Sequence, residues 1–105
     1  MPIATIAGRE VHLNDEGFMT DPSEWTEEIA AFLAHQIGID PLTEEHWKVI
    51  RFLRSDFATE GETATLRRVS TLAGVGTKEL YGLFPGKPAR KMAYVSGLPK
   101  PKGCV

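Results

Sequence analysis

Residues 43–61, TEEHWKVIRFLRSDFATEG, decide the fold class. Trp47, Ile50, Leu53 and Phe57 recur at helical spacing, and their neighbours Val49 and Phe52 broaden the apolar stripe. Thr43, or Asp40-Pro41 just before it, opens the helix, and Gly61 ends it. The paired carboxylates Glu44-Glu45 belong to the first turn, where they suit the helix dipole.

The same pattern extends in both directions. Upstream, Asp21-Pro22 predicts a helix start, with Trp25, Ile29, Phe32 and Leu33 on one face and a stop near Gly38. Before it, the runs at 3–6 and 10–13 flank Ala7-Gly8-Arg9 and read as a small hairpin, and Asn14-Asp15-Glu16-Gly17 reads as a second turn. Downstream, Thr65–Ala73 predicts a third helix with Leu66, Val69 and Leu72 inward. Thr77 is expected to cap a fourth that carries Leu80, Leu83 and Phe84, and residues 89–95 form a short fifth. Trp25 and Trp47 read as core residues, while Glu27, Glu28, Lys48 and Arg51 read as solvated faces. The expected architecture is mainly α: a small orthogonal helical bundle with an N-terminal β-hairpin and a flexible C-terminal arm. Residues 1–89 would form the domain and residues 90–105 a mobile arm.

At 105 residues the chain is one domain, large enough for a modest core. A formal net charge of −2 argues against a general nucleic-acid or membrane surface. The start of the chain lacks the regions of a signal peptide, and a single cysteine fits a reducing compartment, so a cytoplasmic location is expected. His12, His35 and His46 are isolated, and one cysteine cannot build a structural zinc site, so no metal or cofactor is expected. His46, beside Trp47, reads as a packing or surface residue rather than a catalytic base. No glycine-rich phosphate loop follows a strand.

That single cysteine, Cys104, sits in the segment Gly97-Leu98-Pro99-Lys100-Pro101-Lys102-Gly103-Cys104-Val105. It has no partner for an internal disulfide. Pro99 and Pro101 stiffen the segment, and Gly103 provides a swivel next to the thiol. Fully extended at ~3.3 Å per residue, the stretch from Arg90 to Cys104 reaches on the order of 45 Å. A thiol with a pKa of ~8.5 is only a few per cent thiolate at neutral pH. Lys100 and Lys102 favour that thiolate modestly, and the carboxylate at Val105 opposes it. A tail is the wrong place for the positioned nucleophile of a cysteine protease. From the residues alone, a solvated tail without a role and a thiol-presenting arm both stand.

A second signal competes. Residues 66–84 read as helix, glycine turn (Gly74-Val75-Gly76) and helix, similar to the helix-turn-helix of bacterial repressors. A DNA-binding regulator would place Thr77, Lys78 and Glu79 in the major groove, with Arg67 and Arg68 near phosphates. A helical pair that simply packs a core accounts for the same pattern.

The chain as a whole resembles the DsrC/TusE family of small sulfur-carrier proteins. The resemblance rests on Pro88-Ala89-Arg90-Lys91 with the 97–105 segment, on Glu45-His46-Trp47, Val49-Ile50 and Phe52-Leu53-Arg54, and on Leu83-Phe84-Pro85-Gly86. Gly17-Phe18 and Trp25 also fit. It implies that Cys104 carries sulfur as a persulfide, acting as a sulfurtransferase-type carrier rather than an enzyme with a formed active site. Members that partner dissimilatory sulfite reductase have a second arm cysteine eleven positions earlier, where this chain has Ala93. Without a second thiol no intramolecular disulfide can form, and the pattern is similar to the single-cysteine TusE branch. The implied partners are sulfur-donor and sulfur-acceptor proteins: Tus- or Dsr-type complexes, a tRNA thiouridylase, or sulfite reductase itself. Arg90, Lys91, Lys100 and Lys102 would steer docking into acidic partner clefts, and Pro99, Pro101 and Gly103 would present the thiol.

Overall fold

The computed structural model describes residues 3–101. Strands β1 (Ile3–Ile6) and β2 (Arg9–His12) form an antiparallel hairpin that pairs Ile6 with Arg9 and Ile3 with His12. Its two-residue turn, Ala7-Gly8, has positive φ at both positions, as a tight right-twisted hairpin requires. Five helices follow: α1 (Glu27–Gln36), α2 (Glu44–Glu60), α3 (Leu66–Ala73), α4 (Thr77–Leu83) and α5 (Pro88–Val95). The chain is thus mainly α with one hairpin.

Helix α2 is the centre. Thr43 caps it: its hydroxyl accepts from the His46 amide, while the Thr43 amide donates to His46 Nδ1 at 3.0 Å. This is a capping box with histidine in the place usually held by glutamate. Val49, Ile50 and Leu53 are fully buried, and α2 packs against α3 and α5. Helix α5 also packs against α1 and α4, so it lies inside the bundle rather than along its edge.

Three expectations about phase and capping differ from what forms. Asp21-Pro22 opens only a single 3-10 turn (Pro22–Glu24), and Thr26 is the N-cap of α1. Trp25 between them is extended, which frees its ring to reach the far end of the chain. With α1 starting later, its buried face is Ile29, Ala30, Leu33 and Ala34, and Phe32 is exposed. In α3 the inward residue is Val69, flanked by Leu66 and Ala73, and Leu72 is 55 % exposed. Gly76, not Thr77, holds the N-cap position of α4.

The expected boundary between domain and arm at 89/90 falls inside packed structure. Residues 88–95 are helical, and Met92, Ala93, Val95, Ser96, Leu98 and Pro101 are buried. The cause is a helix ending read as tail. Gly97, at φ +71°, lets its amide bond the Tyr94 carbonyl and the Leu98 amide bond the Ala93 carbonyl, and Leu98 then tucks into the core. Three side chains hold the carbonyls that follow the helix. Trp25 Nε1 donates to Val95 O at 2.9 Å, Arg54 Nη1 to Ser96 O at 2.8 Å, and Thr63 Oγ1 to Pro99 O at 2.7 Å. Arg54 Nη2 also donates to Pro22 O at 2.9 Å, and its guanidinium lies 4.2 Å from the Trp25 ring centroid. Partial burial lowers the Arg54 pKa from its ordinary value, yet leaves a guanidinium that is always charged.

This packing makes two expectations. A Cβ at Gly97 would sit 2.8 Å from Trp25 Cβ and Cγ in a backbone conformation that side chains avoid. Gly97→Ala should therefore cost at least about 2 kcal/mol, read as a lower urea midpoint. Arg54→Lys should cost about 1–3 kcal/mol, because one ammonium cannot bridge two carbonyls and stack on the indole. Lys48→Arg, on an exposed position of the same helix, is the control and should leave the midpoint unchanged.

Candidate functional site

Of the residues expected to matter, Lys102, Gly103 and Cys104 lie outside the described residues. The structure shows what leads up to them. Pro99 is exposed with its carbonyl bound by Thr63, Lys100 is partly exposed, and Pro101 is buried.

Two of the three described docking cations converge on one carboxylate. Lys100 Nζ lies 3.0 Å from Glu16 Oε1, and Arg90 Nη1 lies 3.1 Å from Glu16 Oε2. The hydrogen bonds from Lys100 and then Arg90 hold the Glu16 carboxyl below its ordinary pKa. Glu16 is presented by the turn after β2, where Asn14 Oδ1 accepts from the Glu16 and Phe18 amides at 2.9 and 3.0 Å. Lys91 instead donates to the Pro85 carbonyl.

These groups border a groove of about 440 Å³ between the 16–18 turn and α5. Phe18 forms its floor, with the Arg90 guanidinium 5.1 Å from the ring centroid and Tyr94 edge-on at 5.9 Å. Burial raises the Tyr94 hydroxyl pKa, so the phenol stays neutral at physiological pH. Ala93, at the position discussed above, is fully buried one residue earlier on the same helix.

The three histidines have structural partners. His12 Nδ1 pairs with Glu24 at 2.7 Å and His35 Nδ1 with Asp40 at 3.0 Å. The buried His46 has Nε2 2.8 Å from Leu83 O and Nδ1 accepting from the Thr43 amide, which fixes the tautomer with its proton on Nε2. Among the described residues no group of three His, Cys, Asp or Glu side chains could hold a metal ion. The 66–84 segment does fold as two helices around a buried Val75, and Thr77, Lys78 and Glu79 are exposed. Arg68, however, is held by Asp56 through two hydrogen bonds of 3.0 and 2.8 Å, which raise its pKa and turn it away from a phosphate role.

Sequence reasoning missed Glu16 as a binding partner, reading it only as part of a turn. Nothing local marks it, because its contact with Lys100 spans 84 positions. It also missed Arg54 and Thr63, whose carbonyl acceptors are equally distant.

Comparison with known proteins gives a consistent picture. The family model described as "DsrC like protein" matches residues 5–105. The sulfurtransferase TusE of Escherichia coli K12 is 36% identical over 106 residues, covering 93% of this chain and 95% of that protein. The dissimilatory-type sulfite reductase gamma subunit of Nitratidesulfovibrio vulgaris is 31% identical over 105 residues, covering all of both chains. The solution structure of the DsrC/gamma subunit of Pyrobaculum aerophilum superposes with a TM-score of 0.83 at 37% identity, covering 99% of this chain and 95% of that one. These likenesses do not favour the repressor-like reading of residues 66–84. A helical bundle closed over α5 and a terminal segment matched through its cysteine both lead to one family: the chain belongs to the DsrC-like family.

Proposed function

We propose that this protein is a cytoplasmic sulfur carrier in which Cys104 accepts a sulfane sulfur as a persulfide and passes it to a partner protein. The observation that carries the reading is the family match running through residue 105, across the only cysteine in the chain. The relatives named sulfurtransferase lend the reaction class. Among the described residues no helix is long and apolar enough to cross a membrane, in keeping with a relay between soluble partners.

The chemistry is thiol–persulfide exchange. The Cys104 thiolate attacks the outer sulfur of a donor persulfide. A bond forms between Cys104 Sγ and that sulfur, the donor S–S bond breaks, and the donor leaves as a thiolate. The transferred sulfur keeps its oxidation state, so no external oxidant or reductant enters. Delivery runs the same step with Cys104 as leaving group. The thiol needs activation from whichever partner receives it, because a free cysteine is mostly protonated at neutral pH. Arg90, Lys91, Lys100 and Lys102 serve docking, and Pro99, Pro101 and Gly103 set how the thiol projects.

Ala93 bears on which relay this is. A member with two arm thiols can close a disulfide, whereas this chain has Ala93, fully buried, in the second position. The reading is therefore simple relay, ending in tRNA 2-thiouridine synthesis or in sulfur oxidation. The second reading, a subunit that docks on dissimilatory sulfite reductase without cycling, draws on the likeness to the gamma subunit.

Intact-protein mass after incubation with a cysteine desulfurase and cysteine, or with polysulfide, tests the carrier role. The wild type should gain one or more sulfur masses that a reducing thiol removes, and Cys104→Ser should gain none. No reductant-sensitive gain with competent donors would refute the carrier. Stable capture by sulfite reductase without transfer would favour the docking subunit.

A further inference from the structure

The groove beside Glu16 is positively charged on a chain whose formal net charge is −2. Lys87, Arg90 and Lys91 line it with one carboxylate, Glu16, and Lys100 meets that carboxylate from the rim. That carboxylate is itself 44 % exposed, so it bridges two cations in a setting where such pairs contribute little. The groove is apolar beneath: Phe18 and Tyr94 line a space large enough for one aromatic side chain. Glu16 thus occupies a carboxylate site that is weakly held from within and has an empty apolar space beside it.

We infer that this groove is the docking site for an acidic, aromatic-anchored segment of the sulfur-exchange partner, whose carboxylate replaces Glu16 on Arg90 and Lys100. The inference rests on the carrier reading of Cys104. Exchanging one carboxylate for another changes the ion-pair energy little, so the aromatic anchor supplies the net attraction through buried apolar area. Rim charges of this kind chiefly steer the encounter and select the partner. The exchange also has a consequence for the thiol. Lys100 lies four residues before Cys104, and its bond to Glu16 ties the end of the described chain to the turn after β2. Displacing Glu16 frees Lys100 from that turn and hands it to the partner's carboxylate, so docking in the groove engages the residue four positions before Cys104. Nucleic-acid phosphate is the competing polyanion, but a backbone phosphate brings no apolar group to the Phe18–Tyr94 space.

The test uses the full chain, nitrogen-15-labelled, titrated with the peptide acetyl-DEFDE-amide, its charge-reversed counterpart acetyl-KKFKK-amide and a uridine octanucleotide. The acidic peptide should shift the amides of Phe18, Arg90, Lys91, Tyr94 and Lys100, and the basic peptide should not. Glu16→Gln removes the internal competitor and should tighten acidic-peptide binding by a factor of about two to five. Arg90→Gln should weaken it by a similar factor. A residue that merely braces the fold would not tighten binding when lost. Shifts located elsewhere, an equal response to the basic peptide, unchanged or weaker binding by Glu16→Gln, or tighter binding of the oligonucleotide at the same residues would each overturn the proposal. Polysulfide loading of Cys104 on the same samples reads the carrier role independently. Loading without peptide binding overturns the groove alone, and peptide binding without loading overturns the carrier and leaves the groove standing as an acidic-peptide site.

Discussion

The contact between Trp25 and Gly97 is the constraint on which the rest of the structure depends. The indole occupies the space a side chain at residue 97 would need, and its Nε1 holds the carbonyl of Val95. Only glycine satisfies both the positive φ and the close approach. That one contact joins the start of the helical bundle to the end of its last helix, 70 positions away. Arg54 completes it from α2 by stacking on the same indole and bonding carbonyls on both sides, at Pro22 and Ser96. Buried carbonyls must find donors, and these three do so without regular secondary structure. The chain is thereby held at Val95 and Ser96, and Thr63 holds it again at Pro99.

How much of this was legible in the sequence depends on the range of the interaction. Helix α2 could be read because its signals are local: a Thr43 cap, an apolar stripe and Gly61 at its end. The hairpin and the five helices follow from signals of the same kind. The phase of α1 was misread because Trp25 looked like its first buried residue. In fact Trp25 serves a distant glycine, and the helix starts after it with Thr26. The 90–98 stretch was read as arm because proline and glycine around it resemble a linker. Gly97 instead ends α5, and Leu98 packs into the core, which spacing along the chain does not reveal. Cys104 was singled out by its solitude and by the residues around it. Glu16, which meets two of the expected docking cations, carries no local mark.

Electrostatics divides the molecule's charged groups into two kinds. Arg54 and Arg68 have fixed protein partners: carbonyls and an indole for one, the largely buried Asp56 for the other. Removing such a partner strands a buried polar group, so these residues belong to the fold. Arg90 and Lys100 share an exposed carboxylate, and solvent can replace that contact at small cost. The same residue types thus serve stability in one place and remain exchangeable in another, and burial of the partner is what separates them.

This division suits a carrier. A protein that hands a sulfur atom between partners needs a reactive group that can enter another protein's cleft, and a body that stays folded while it does. Here Pro99 divides the described contacts into two kinds. On the inner side every carbonyl from Val95 to Ser96 is held by Trp25 or Arg54, and Thr63 holds the one at Pro99 itself. On the outer side, Lys100 meets Glu16 in a surface pair and Pro101 is buried. The side-chain hydrogen bonds to these carbonyls end at Pro99, and the next residue, Lys100, makes an exchangeable ion pair. Placing a second thiol at the buried Ala93 would have tied the chemistry back into α5 and linked redox state to packing. With alanine there, position 93 is filled by a methyl group packed in the core.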